Sequence, residues 1–212
     1  MASPWTTGKF YMRRSILSRR GSFISKLTVW SGAVAIVGVL SVMSFSSRSI
    51  ASSTAPIPAC TTPELVVWLN TSGSGAAGST YYSVNFTNVS AHSCTLRGYP
   101  GVSAISQAGI QFGSAAARNA AHAVATVTLS SARSARGLEN STTRNTATAI
   151  LQVTVADNFP ISACSVITAT GLRVYPPGQK ESTVIPYPFV ACAKSGPRFL
   201  HVEALQRFVV SR

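Results

Sequence analysis

Three histidines (His92, His122 and His201) and five carboxylates (Glu64, Glu139, Asp157, Glu181 and Glu203) are the acid–base groups of this 212-residue chain. A hydrolase of the Ser/His/Asp type needs a nucleophile, a base and a group that orients the base. Serines abound and Asp157 is the single aspartate, but no G-x-S-x-G elbow is present. A glycosidase needs two facing carboxylates. Glu64 and Glu203 both fall on segments that read as strands, where solvent-facing positions account for them. His92 stands near Cys94, yet no paired C-x-x-C spacing accompanies them as a zinc site would require. Gly73-Ser74-Gly75-Ala76-Ala77-Gly78 comes closest to a phosphate cradle. It joins two strands rather than a strand to a helix, which argues against that role. The densest stretch is Cys94-Thr95-Leu96-Arg97-Gly98-Tyr99-Pro100-Gly101-Val102. Its Pro-Gly centre has the chemistry of a type II turn, and Arg97 has no phosphate or carboxylate motif beside it. The expectation is therefore no catalytic residue, no cofactor and no metal.

The elements that would carry these residues are strands. Leu65-Val66-Val67-Trp68-Leu69 reads as one strand, and a turn-rich SGSGAAGS follows. In the next strand Tyr82, Val84 and Phe86 alternate with Ser83, Asn85 and Thr87, the pattern of a half-buried strand. If the two are antiparallel neighbours, the chain goes out and returns, and Cys60 meets Cys94. The same logic repeats later. Cys164 precedes Leu172–Tyr175, Pro176-Pro177-Gly178 turns the chain, Thr183–Ile185 runs back and Cys192 closes the unit. The expected disulfides are Cys60–Cys94 and Cys164–Cys192. Further strand-like runs are 101–105, 110–112, 124–129, 147–155 and 199–205. Residues 114–123 are alanine-rich and fit a short turn of helix. Short strands separated by Gly, Pro, Ser and Asn predict an all-β fold, an antiparallel immunoglobulin-like β-sandwich with two disulfides.

Residues 27–45, LTVWSGAVAIVGVLSVMSF, are nineteen uncharged residues, and six basic residues precede them. This arrangement keeps the N-terminus inside and sends the rest across a membrane. The run fits a transmembrane helix or a long signal h-region, with Ser49-Ile50-Ala51 as a cleavage site in the second case. The expected organisation is a basic cytoplasmic segment (1–26), the apolar helix (27–45), a Ser/Ala/Thr/Pro linker (46–59), a β-sandwich domain (60–206) and a short tail (207–212). The domain is expected to be extracytoplasmic, tethered through 27–45 or secreted after cleavage, and oxidised cysteines suit that compartment.

The net charge of +13 does not signal nucleic-acid binding. Seven of the bases lie before residue 50. Residues 52–212 hold eleven bases against five acids, scattered singly, with no basic run interleaved with aromatics. An anionic cell-envelope polymer or an envelope protein is the expected partner class. Four Asn-x-Ser/Thr sequons (Asn70, Asn85, Asn88 and Asn140) are discounted as chance matches in a Ser/Thr-rich chain.

Gly75–Gly78, Tyr82–Asn88, Cys94–Val102, Gly171-Leu172-Arg173-Val174-Tyr175-Pro176-Pro177-Gly178 and Cys192 together resemble the domain of unknown function 4232 family over roughly residues 60–206. The resemblance implies an exported or membrane-tethered, β-rich protein of largely actinobacterial distribution. It implies no catalytic residues, because the family has no assigned activity. The functional expectation is a non-catalytic binding or structural module at the cell envelope, with the loops at one end or Ile185-Pro186-Tyr187-Pro188-Phe189 as contact surface. The alternative is a cell-wall hydrolase that assembles His122 or His201 with Asp157 and a serine.

Overall fold

The computed structural model describes residues 55–135 and 141–208. All of them lie in one compact unit, Ser52–Arg212. The apolar segment 27–45 falls outside the described residues. Among those described, no helix is long and apolar enough to cross a membrane.

In chain order the strands are β1 (Leu65–Ala76), β2 (Ser79–Asn88), β3 (Cys94–Arg97), β4 (Gly101–Ile105), β5 (Gln111–Phe112), β6 (Ala117–Asn119), β7 (Thr126–Leu129), β8 (Thr146–Thr154), β9 (Val166–Tyr175), β10 (Thr183–Cys192), β11 (Leu200–Glu203) and β12 (Gln206–Arg207). One sheet runs β1-β2-β8-β11-β6, with β12 also paired to β8. A second runs β10-β9-β4-β5, and β3 and β7 form a separate two-stranded ladder. The protein is thus mostly β with few helices, and all three sheets feed one core. Val84, Phe86 and Leu151 from the first sheet, Val102, Leu172 and Val174 from the second, and Leu96 and Leu129 from the ladder share one buried cluster.

Both long hairpins form as the sequence pattern predicts. β1 pairs antiparallel with β2, and β10 with β9. Cys60 bonds to Cys94 and Cys164 to Cys192, with Cα–Cα distances of 4.9 and 4.6 Å. Each hairpin brings its flanking cysteines to the same end.

Several local expectations change. The first hairpin does not turn throughout SGSGAAGS. β1 continues to Ala76 and the loop is only Ala77-Gly78, with φ of 44° and 78°. Two left-handed residues in a two-residue loop match the right-handed twist of the strands. A Cβ on Gly78 would also clash with the Asn158 amide, so a larger residue would displace the side chain that donates to the Gly78 carbonyl. β2 is not half-buried at its centre, since Val84, Asn85 and Phe86 are all fully buried. Asn85 faces Trp68 across the ladder, and the Trp68 ring stands 6.5 Å from that of Phe208, so the outer face is lined by aromatics there. Thr148 Oγ1 donates to Asn85 Oδ1 at 2.7 Å, which satisfies the buried amide oxygen.

The alanine-rich stretch 114–123 contains β6 rather than a helical turn, because pairing with β11 overrides its helix propensity. That pair is parallel, so the first sheet is mixed and not antiparallel throughout. Tyr99–Val102 is not a type II turn. Gly101 begins β4 without a positive φ, and the left-handed glycine is Gly98 at φ 109°. Cys94–Arg97, outside the strand-like runs of the sequence, is β3, paired residue for residue with β7.

Candidate functional site

Two of the three histidines pair with carboxylates, and in neither pair is the carboxylate Asp157. His92 Nε2 is 2.8 Å from Glu64 Oε1, and His122 Nε2 is 3.4 Å from Glu203 Oε2. The Thr61 backbone N–H donates to Glu64 Oε2 at 2.8 Å. That bond, with His92 adding to it, holds the Glu64 carboxyl below its ordinary pKa. Glu64 ends a 3-10 turn, Thr62–Glu64, rather than lying on a strand. Glu203 is on β11, as expected. Glu64 and Glu203 are therefore engaged by different histidines on different elements. His201 is on β11 too, its Nδ1 buried without a hydrogen-bond partner among the described residues. Asp157 lies exposed in a 3-10 turn, Ala156–Asn158, and pairs with no histidine among the described residues. Cys94, offered with His92 as a zinc ligand, is committed to its disulfide.

The Pro-flanked stretch 185–189 has more to offer. β10 is the edge strand of its sheet, with Pro186 and Pro188 exposed. Proline removes the backbone donor, so this edge cannot template another strand. A register shift between Pro186 and Phe189 breaks the ladder to β9 at the same place. What the edge presents is side chains. The Tyr187 hydroxyl donates to the Tyr82 hydroxyl at 2.8 Å, and the two rings meet edge to face at 5.3 Å. Tyr187 and Phe189 stack at 6.1 Å. Tyr82 belongs to β2, so this aromatic group spans the two sheets. Beside it lies a cleft of about 230 Å³ whose walls include Tyr82, Val153, Ala156, Phe189 and Val190. Sequence reasoning found Tyr187 and Phe189 but had no signal for Tyr82 as their partner.

Burial, and then the hydrogen bond to Tyr82, push the Tyr187 phenol from 10.0 up to about 12. The unfolded chain ionises first, near pH 10, while the folded one holds its proton. This contribution to stability is complete below pH 10 and is lost as pH rises from about 10 to about 12. An absorbance titration at 295 nm should show a delayed phenol that Tyr187→Phe removes. A Tyr187→Phe titration curve with the same late component would contradict this assignment.

Residues 60–139 match the family model described as Domain of unknown function (DUF4232). The match takes in Cys60, Cys94 and the whole Cys94–Val102 signature, and stops before the second hairpin. No curated protein and no solved structure matches the chain.

Proposed function

We propose that the chain is an extracytoplasmic, non-catalytic module of the cell envelope, either tethered through residues 27–45 or secreted. Its two principal sheets pack as an immunoglobulin-like sandwich with one parallel edge pair, and it acts by contact with an envelope polymer or protein rather than with nucleic acid. The observation that carries the reading is the aromatic edge. Tyr187 and Phe189 stand on a strand that prolines bar from backbone pairing, next to a cleft between the sheets. Such a surface recognises a partner through side chains, which fits a specific contact and not strand addition. The two disulfides support an oxidising compartment.

Affinity capture from envelope extract tests it. The wild-type chain is expected to recover one polymer or protein, and Val190→Lys to lose it, since Val190 lines the cleft and is 53% exposed. Recovery that is indifferent to Val190→Lys would overturn the assignment of the surface. Release of soluble fragments from cell-wall material by the pure chain would favour the hydrolase reading instead.

A further inference from the structure

A second cleft, of about 410 Å³, is lined by Thr128, Ser130, Thr143, Arg144 and Arg207. It lies where β8 begins. Arg144 is in the short helical segment Ser141–Asn145 that leads into β8, and the Cα partner of Arg207 is Ala147. The aromatic cleft is lined by Val153 and Thr154 at the other end of the same strand. At about 3.4 Å per residue the two are roughly 20–24 Å apart along β8.

The walls of this cleft are held by backbone bonds. Ser130 N–H donates to the Arg144 carbonyl at 2.9 Å, and Phe208 N–H to that of Thr146 at 3.3 Å. Among the described residues nothing neutralises the two charges. Neither the Arg144 nor the Arg207 guanidinium takes part in an ion pair or hydrogen bond among the described residues. No carboxylate is among the described lining residues, and Glu64 and Glu203 are engaged with histidines. A third guanidinium stands close by. On the β3–β7 ladder Cys94, Leu96, Val127 and Leu129 are buried, so Thr95, Arg97, Thr126 and Thr128 share the outward face. Arg97 reaches Thr126 Oγ1 at 3.4 Å, one outward position along from the cleft residue Thr128. Two arginines distant in sequence thus share the cleft wall with three hydroxyl-bearing residues, and Arg97 lies on the neighbouring outward face of the ladder.

We propose that this cleft is a binding site for a phosphoryl group. A carboxylate has two oxygens, which one bidentate arginine occupies. Two guanidinium groups in the wall, with hydroxyls beside them, supply more donors than that, and they match an anion with three or four oxygens. The group is a phosphate ester or diester, carried either on a soluble polymer or on a lipid headgroup. The site is separate from the aromatic edge and does not rest on the function proposed for it.

Titration calorimetry on the full chain, in phosphate-free buffer and a neutral sugar detergent, tests the proposal with pyrophosphate as ligand. Saturable binding is expected, weakened about tenfold by Arg144→Gln and by Arg207→Gln singly, and abolished in the double variant. Arg144→Lys with Arg207→Lys should retain charge but lose most of the affinity. Both arginines are exposed, and the variants are expected to keep the wild-type melting temperature. Polyphosphate and phosphatidylglycerol vesicles, each compared with the double variant, distinguish the two sources. Loss of either one on double substitution supports the site. No pyrophosphate binding, equal binding of citrate, or binding unchanged in the double variant would overturn it. The last outcome would place the interaction on the basic N-terminal residues. Val190→Lys should leave pyrophosphate binding untouched, so failure of the aromatic surface and failure of this site are separable.

Discussion

Replacing Cys60 and Cys94 together by serine is expected to lower the unfolding free energy by about 3–4 kcal/mol. The bridge closes a loop of 34 residues. The entropy that such a cross-link removes from the unfolded chain corresponds to about that much. The setting argues for the full effect. Both cysteines are fully buried, and serine would place an unpaired hydroxyl in the core at each. The bridge also fixes the point where the entering chain runs beside β3. There Cys60 N–H donates to the Thr95 carbonyl at 2.9 Å, and Thr95 N–H to that of Pro58 at 2.8 Å. For a domain of this size the loss corresponds to a fall in Tm of roughly 10 °C. Denaturation under non-reducing conditions measures it. A double variant within 1 kcal/mol of wild type would show that the ladder and core hold this corner without the bridge.

Asn88→Ala is expected to cost about 3 kcal/mol, although the residue touches no candidate site. Its side chain is fully buried at the end of β2. Nδ2 donates to the His92 carbonyl at 2.9 Å and to the Ser130 carbonyl at 3.0 Å, while Oδ1 accepts from Ser90 N–H at 2.9 Å. One amide therefore ties β2 to the loop before Cys94 and to the end of β7. Alanine strands the Ser130 carbonyl and the Ser90 N–H, while the His92 carbonyl keeps the Ser90 hydroxyl as donor. Each stranded group costs about 1–3 kcal/mol when buried, less where water enters the gap. Asn88→Asp should be no better, since a carboxylate would face two carbonyl oxygens with no proton to give. Urea unfolding with an unchanged m-value is the measurement. A cost below 1 kcal/mol would mean that water replaces the amide without loss. The same burial leaves no room for a glycan on the Asn88 sequon in the folded chain, and Asn85 is buried likewise.

What could be read before folding was local. The two hairpins follow from alternation and turn residues within about thirty residues, and the disulfides follow from the hairpins. β7 and β8 were legible because Val127, Leu129, Ala149 and Leu151 alternate with polar neighbours, so one face of each strand must turn inward. Alternation fails at Asn85, where a polar residue is buried by aromatics from β1 and the C-terminal segment. β6 fails too, since three residues of modest strand propensity form a strand only because β11 supplies the ladder. β3 was hidden by its cysteine, glycine and proline surroundings, which read as turn chemistry.

The amino-acid sequence alone determined the all-β character and the two bridges, because each depends on spacings within a single hairpin or strand. It also determined that Cys94 ends in a disulfide, since Cys94 must meet Cys60 once the first hairpin closes. Tertiary structure alone decided the rest. Tyr82 and Tyr187 come from different sheets, and Arg144 and Arg207 from a helical turn and a two-residue strand. No periodicity links residues so far apart in the chain. Their meeting depends on which strand lies beside β8, and that is settled by packing one shared core.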